Sequence, residues 1–271
     1  MSNPVYGKAV AEMLRRKTAG LSFLDERRPI SDTGQLPARR WHDEPRKSAQ
    51  PVATETRYYG KPTTGLATRQ PATRNAGSSR SSQIFKGIKV FAESELERHS
   101  LTRFTARRDV KLIYSQYPVL PWTDADGVDH DHTCDHYLEF SDGMREAVVI
   151  KMEKKRALME DMIARMFARG VSHVVDNIRL VTEKYGNRST ADNARWILWS
   201  RKHHDDVALN SLLQIIECMH GFFRFGELMR GCSDPLLRRA AIWCLLDLEI
   251  LVAPVGERIT ELTWLAKAPA R

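Results

Sequence analysis

The stretch HTCDHYLEFSDGMREAVVIKMEKK, residues 132–155, reads as a strand, a turn at Ser141-Asp142-Gly143 and a second strand, with Asp135 near one end and Lys151 near the other. A hard divalent cation that activates water against a phosphodiester needs carboxylate oxygens from adjacent strands, and a nearby lysine stabilises charge on the phosphate. Asp135 and Lys151 supply two of those three groups. Side chains alternate along a strand, so positions 149, 151 and 153 share a face and the second carboxylate belongs at 149. Val149 stands there, and valine cannot ligate a metal. Two replacements are within reach of the pattern: Glu153, two residues beyond Lys151, and His136, whose nitrogen suits Mn²⁺. Glu153 is followed by Lys154, Lys155 and Arg156, so its plainer reading is the charged exit from the strand.

The run DHDHTCDH poses a rival. His130, His132, Cys134 and His136 would lie on one strand face like a zinc set, but four such positions span about 10 Å, too far for one tetrahedral ion. Polar residues near a hairpin end are the better reading. The four cysteines (Cys134, Cys218, Cys232, Cys244) form no CxxC pair, which leaves scattered reduced thiols. The sequence has no GxxxxGK[ST], GxSxG or HExxH, so the chemistry of a P-loop ATPase, an α/β-hydrolase and a zincin is missing and no nucleotide cofactor is expected.

The elements that must carry these residues begin late in the chain. Residues 1–84 hold 15 Lys or Arg against 7 Asp or Glu, while residues 85–271 hold 27 of each, so the first segment carries the whole formal charge of +8. Its composition, as in KPTTGLATRQPATRNAGSSRSSQ, buries too little apolar surface to offset ordering entropy. We expect a basic, disordered arm over 1–84, with a short helix over 4–19 (Val5, Val10, Met13, Leu14), that orders on a partner. DNA is the first such partner, because phosphate contacts release counterions; a solvated linker is the alternative. No run of about 18 apolar residues or secretory h-region is present, so an intracellular, nucleoid-associated protein without membrane contact is expected.

From Phe85 the pattern predicts a capped helix over 94–106, a strand in VKLIYSQYPVLPW bent or confined to an edge by Pro118 and Pro121, a turn at TDADGVD, and strands over 130–140 and 144–152. A helical stripe in RALMEDMIARMFARG closed by Gly170, then a buried strand over 178–183, complete an α/β sandwich. After residue 186 the pattern turns helical: STADNARWILWSRKH, VALNSLLQIIECMHG, a short helix, a turn, a longer helix and a two-stranded hairpin, the order of a winged helix. Pro235 suits the first turn of the longer helix, whose core face would use Leu236, Ala240, Trp243, Cys244 and Leu246. Arg238 and Arg239 fall on its other side, for DNA or for solvent alone. Trp196 and Trp199 are expected to pack between domains.

Taken in collinear order, SELERHSL, YSQYPV, HTCDHYLEFSDG with AVVIK, FARG, IRLVTE, NARWILWSRKH and the winged-helix pattern resemble the TnsA-like endonuclease subunits of heteromeric transposases. The resemblance covers about residues 85–271. It implies a PD-(D/E)xK restriction-endonuclease-like mixed-sheet core over 85–186 and a helical winged-helix domain over 187–271. It further implies metal-dependent DNA cleavage with Mg²⁺ or Mn²⁺, in partnership with a separate transposase subunit. Matched residue by residue, the helix acid is Glu97, the sheet acid Asp135 and the lysine Lys151, which would stabilise the pentacovalent phosphorane; Gln116 matches a glutamine that precedes the catalytic hairpin. Cys134 and His136 replace the proline and aromatic expected around the Asp, and Val149 replaces the motif Glu or Gln. Two readings follow: an active nuclease with Glu153 completing the metal set beside Glu97 and Asp135, or a lapsed descendant acting as a DNA-binding or assembly subunit. A structural component of a larger nucleoprotein or phage assembly is a third.

Overall fold

Residues 63–69 and 80–269 are described by the computed structural model, with six α-helices and four small sheets among them. Lys86 and Gly87 turn the chain with φ of 47° and 82°, the left-handed pair that a tight hairpin requires. Strands β1 (Ser81–Phe85) and β2 (Ile88–Ala92) therefore fold back on each other. Strand β1 thus starts four residues before Phe85, and Thr63 forms a parallel bridge to Ile88. The predicted helix over 4–19 and most of the arm lie outside the described residues.

Helix α1 (Glu95–Ala106) starts where the SxxE pattern puts it: the Ser94 Oγ accepts from the Glu97 N–H at 3.2 Å and donates to Glu97 Oε1 at 2.8 Å. Strand β3 (Val110–Ser115) then runs to Gln116, whose φ of 53° ends it. The chain continues as β4 (Val119–Thr123), β5 (Asp129–Thr133), β6 (His136–Phe140) and β7 (Arg145–Ile150). The single strand expected over 130–140 is broken at Cys134 and Asp135. Both ribbons bend at one place, because Gln116 N–H donates to the Asp135 carbonyl at 2.9 Å and Cys134 N–H to that of Pro118 at 2.9 Å. As a result β5 pairs with β4 alone, while β6 joins the main sheet.

That sheet has the order β3-β6-β7-β8, antiparallel except for β8 (Asn177–Val181), which lies parallel to β7. The parallel step needs a crossover, and α2 (Arg156–Ala168) provides it. Alternation along β7 splits the core: Val148 and Ile150 pack with Leu101 and Phe104 of α1, while Ala147 and Val149 pack with Met159, Met162 and Met166 of α2. Gly170, at φ 81°, closes α2 as its position predicts.

The chain divides into two compact units between Ala191 and Asp192. Helix α3 (Arg188–His203) crosses that point, followed by α4 (Asp206–Glu217), β9 (Phe222–Arg224), α5 (Phe225–Leu228), α6 (Pro235–Asp247), β10 (Leu251–Val252) and β11 (Trp264–Lys267). The expected hairpin gains β9 to make the sheet β10-β11-β9. Helix α6 enters the core later than predicted: every residue from Ala240 to Asp247 is buried, but Leu236, in the exposed first turn capped by Asp234, is 59 % exposed. Trp196 lies parallel to Trp243 at 6.1 Å and edge-on to Trp199 at 5.4 Å, so these rings pack within the C-terminal unit. No described helix is long and apolar enough to cross a membrane.

Candidate functional site at the Asp135 bend

The bend between β5 and β6 leaves Asp135 outside both strands, where its side chain turns toward the end of β7. Its Oδ2 accepts the Ile150 N–H at 2.6 Å and lies 3.8 Å from Lys151 Nζ. The two residues that the hairpin pattern selected thus meet as an ion pair. Burial pushes the Asp135 carboxyl up to about 6; the Lys151 cation pulls against this, and the negative charges of Glu97 and Glu93 add to it. His132, on β5, feels the charge of the same cation. Burial, and then Lys151, hold its imidazole down at about 4, and its Nε2 is buried without a hydrogen-bond partner among the described residues.

Glu97 is buried at the start of α1, and both its oxygens are used: Oε1 accepts from Ser94 Oγ and Oε2 from the Glu93 N–H at 2.7 Å. Val149 has no accessible surface and sits in the α2-side cluster with Leu120, Cys134 and Met162. Glu153 lies past the strand, in a 3-10 turn over Glu153–Lys155, because β7 ends at Ile150 and not at residue 152. Its carboxylate accepts from Arg156 at 2.8 and 3.0 Å and from Lys184 at 2.6 Å, and these bonds hold it well below the usual carboxylate range. The face shared by 149, 151 and 153 therefore does not extend to Glu153. His136 points into the α1-side core, edge-on to Phe104 at 6.0 Å, and burial drives it down to about 4.

These positions decide how well a divalent ion fits. Asp135 offers one carboxylate, the Glu97 oxygens serve the helix cap, and position 149 brings methyl groups. Among the described residues no three His, Cys, Asp or Glu side chains are grouped to hold a metal ion. The residues present do not fit Mg²⁺ or Mn²⁺. His130 likewise does not converge with His132 and His136: it stacks on Trp122 at 4.8 Å and bonds Asp124 at 2.7 Å.

Gln116 supports the site through its backbone, donating to the Asp135 carbonyl. Its own carbonyl accepts from Thr68 N–H at 3.1 Å and from Thr68 Oγ1 at 2.6 Å. Beside it, Arg69 Nη2 pairs with Glu93 at 3.2 Å. Sequence reasoning missed Thr68 and Arg69. They lie in a segment whose composition reads as linker, and Thr68 is 48 positions from its partner.

In the C-terminal unit, Arg239 is drawn inward and does not occupy a solvated face. Its guanidinium bonds Glu261 and lies over the rings of Phe225 and Trp196 at 5.5 and 5.9 Å. Arg238 is half-buried, with Nη1 sealed from solvent. The loop between β10 and β11 is tied down by Asn193, which donates to the Glu257 carbonyl at 2.7 Å and accepts from the Ile259 N–H at 2.9 Å. No protein-family model matches this sequence, and no curated protein matches it either.

Proposed function

We propose that this chain is a TnsA-like subunit in which the nuclease centre has lapsed, and that it acts by binding DNA and assembling with a transposase or similar partner. The observation that carries this reading is Val149, sealed in an apolar cluster at the position where the nuclease pattern requires a metal-ligating side chain. Agreement of element order with the restriction-endonuclease-like core supports the ancestry: a helix, an antiparallel hairpin carrying the Asp135–Lys151 pair, a crossover helix and a parallel strand. The succession α4, β9, α5, α6, β10, β11 supports a winged helix after it. Within that unit the last eight residues of α6 are buried and the β10–β11 loop is pinned to α3, so a groove-reading role is left only to the first turn of α6. This supports assembly over base reading for the C-terminal unit, with the basic composition of the arm as the support for DNA affinity.

The active-nuclease reading keeps one observation in its favour. Asp135 and Lys151 remain paired, and a carboxyl raised to about 6 is one that an added cation would stabilise in its charged form. Plasmid nicking in Mg²⁺ and in Mn²⁺, run with duplex binding by mobility shift at several salt concentrations, separates the two. We expect salt-sensitive binding and no cleavage. Cleavage by the wild type that Asp135→Ala abolishes would overturn the lapsed reading and establish the nuclease.

A further inference from the structure

Helix α3 turns about 100° per residue, so positions 192, 195, 196, 199, 202 and 203 share one side of it, while Asn193, Ala194, Ile197 and Ser200 are buried on the other. An outward helix face is ordinarily polar throughout. This one carries two tryptophans. Trp196 is 37 % exposed, and Trp199 is half-buried, with the exposed His203 ring stacked on it at 4.9 Å. Trp196 is braced by its neighbours: it lies parallel to the buried Trp243, has the Arg239 guanidinium over its ring, and stands edge-on to Trp199. An indole held in this way is a fixed apolar platform at the surface.

The charge beside the platform is mostly positive. Asp192 is the single acid on this side of the helix, and it is held by Arg195 and, at 3.5 Å, by Arg258 of the β10–β11 loop. The side chains of Arg195 and Arg258 remain 42 % and 60 % exposed, and Lys202 is exposed with no ion-pair partner among the described residues. Asn193 keeps the loop in place by bonding Glu257 and Ile259 on either side of Arg258. All of these residues belong to the C-terminal unit.

We propose that this face binds unpaired nucleotides of a nucleic-acid strand, with a base stacked on Trp196 and flanking phosphates held by Arg195, Lys202 and Arg258. An aromatic platform among cations accepts any base by its π-face, so the face reads no sequence. It extends about 16 Å along the helix from Asp192 to His203, room for a few nucleotides. Bases inside a duplex are covered by their stacked neighbours and do not reach the indole. The inference concerns the C-terminal unit alone and rests neither on the lapsed-nuclease reading nor on duplex binding by the basic arm.

Fluorescence anisotropy on the full chain tests it with three labelled probes: a twenty-nucleotide oligothymidylate, an abasic strand of the same length, and a duplex of twenty base pairs. The wild type is expected to bind oligothymidylate at least about fivefold more tightly than the abasic strand, the effect of one stacked base. Trp196→Leu, which leaves an apolar group against Trp243, should remove most of that preference, and Trp196→Phe, which keeps a ring, should retain most of it. Lys202→Ala, a change on the open surface, should flatten the slope of log affinity against log salt for oligothymidylate by about 0.7. Equal affinity of the wild type for the two strands would mean that the face takes any polyanion, an acidic protein segment included, and would overturn the proposal. A preference that survives Trp196→Leu intact, or a salt slope unmoved by Lys202→Ala, overturns it as well. Duplex affinity reports separately on the basic arm. A chain that prefers oligothymidylate in this way but binds no duplex keeps the proposal and loses the duplex reading, and a chain that binds duplex without the strand preference does the reverse.

Discussion

Replacing Val149 with glutamate would supply the carboxylate that the nuclease resemblance expects at that position, and the structure says what it would do instead. Val149 has no accessible surface and packs with Leu120, Cys134, Met162 and Met166. A longer polar side chain there adds overpacking of about 1–3 kcal/mol and an unsatisfied polar group of similar cost, giving roughly 3–4 kcal/mol even when neutral. Val149→Gln carries this part alone. Ionising the glutamate adds a second part. Burial raises the folded pKa above the unfolded value near 4.3, so the folded state holds its proton longer, and stability falls as pH rises from about 4.3 through the raised pKa. A rise of about two units makes this roughly 2.7 kcal/mol at pH 8. Urea unfolding at pH 4.5 and 8 reads both parts. With a slope near 2 kcal/mol per molar urea, Val149→Glu should unfold about 1.4 M earlier than Val149→Gln at pH 8 and at nearly the same urea at pH 4.5.

Magnesium supplies the decisive arm of that assay. An ion bound at about 0.1 mM and present at 10 mM would return about 2.7 kcal/mol to Val149→Glu, cancelling the ionisation cost. We expect no recovery, because Glu97 is committed to the cap of α1 and Asp135 alone does not hold the ion. The reasoning is refuted if Val149→Glu matches Val149→Gln at pH 8 without metal, or if Mg²⁺ restores it while leaving the wild type unmoved. Either result would mean that position 149 opens on the Asp135 site and not on the α2-side core.

Two further outcomes follow from named contacts. His132 and His136 are depressed to about 4 by burial, so the unfolded chain takes up their protons as pH falls below 6.5 and stability is lost; Asp135, raised to about 6, gains stability over much of the same window as pH falls. The net slope between pH 4 and 6 is about one proton, roughly 1.4 kcal/mol per pH unit, and Asp135→Asn should double it in urea titrations of the N-terminal unit; an unchanged slope would show that Asp135 titrates normally. Asn193→Leu strands the Glu257 carbonyl and the Ile259 N–H, at a cost of about 2 kcal/mol. Trypsin should then cut after the exposed Arg258 several-fold faster, and equal rates would mean the β10–β11 loop is held by other contacts.

Local signals in the sequence carried well where the physics is local. The SxxE cap at Ser94 and Glu97, Gly170 ending α2 and Pro235 opening α6 are each decided within four residues, and the structure has them there. The pairing of Asp135 with Lys151 was also legible, because a strand–turn–strand hairpin brings its two ends together whatever surrounds it. What alternation could not supply was where a strand stops. Extending β7 to residue 152 and continuing its alternation put Glu153 on the face of Lys151, but the chain leaves the sheet at Ile150, and Arg156 and Lys184 take the carboxylate. The same limit hid the break at Asp135, which is fixed by a bond to Gln116 across the bend.

Glu97 shows how one residue fits two accounts. The acid that the nuclease pattern takes as a metal ligand is also the third residue of α1, where its carboxylate accepts from the Ser94 hydroxyl and the Glu93 N–H, and both uses place glutamate at the same position of the same helix. Only the hydrogen bonds separate them. With Oε1 on Ser94 and Oε2 on Glu93, the capping use is the one this fold has realised. An ion competing for those oxygens would have to displace the Ser94 hydroxyl and the Glu93 N–H from them, at a cost of about 1–3 kcal/mol. That cost is small beside the binding energy of a complete metal site. It is large beside what Asp135 alone can offer, so the valine at 149 and the hydrogen bonds that hold Glu97 at the start of α1 both act against a bound ion. On the lapsed-nuclease reading proposed above, the acid, the lysine and the fold would be kept for reasons that no longer involve a metal.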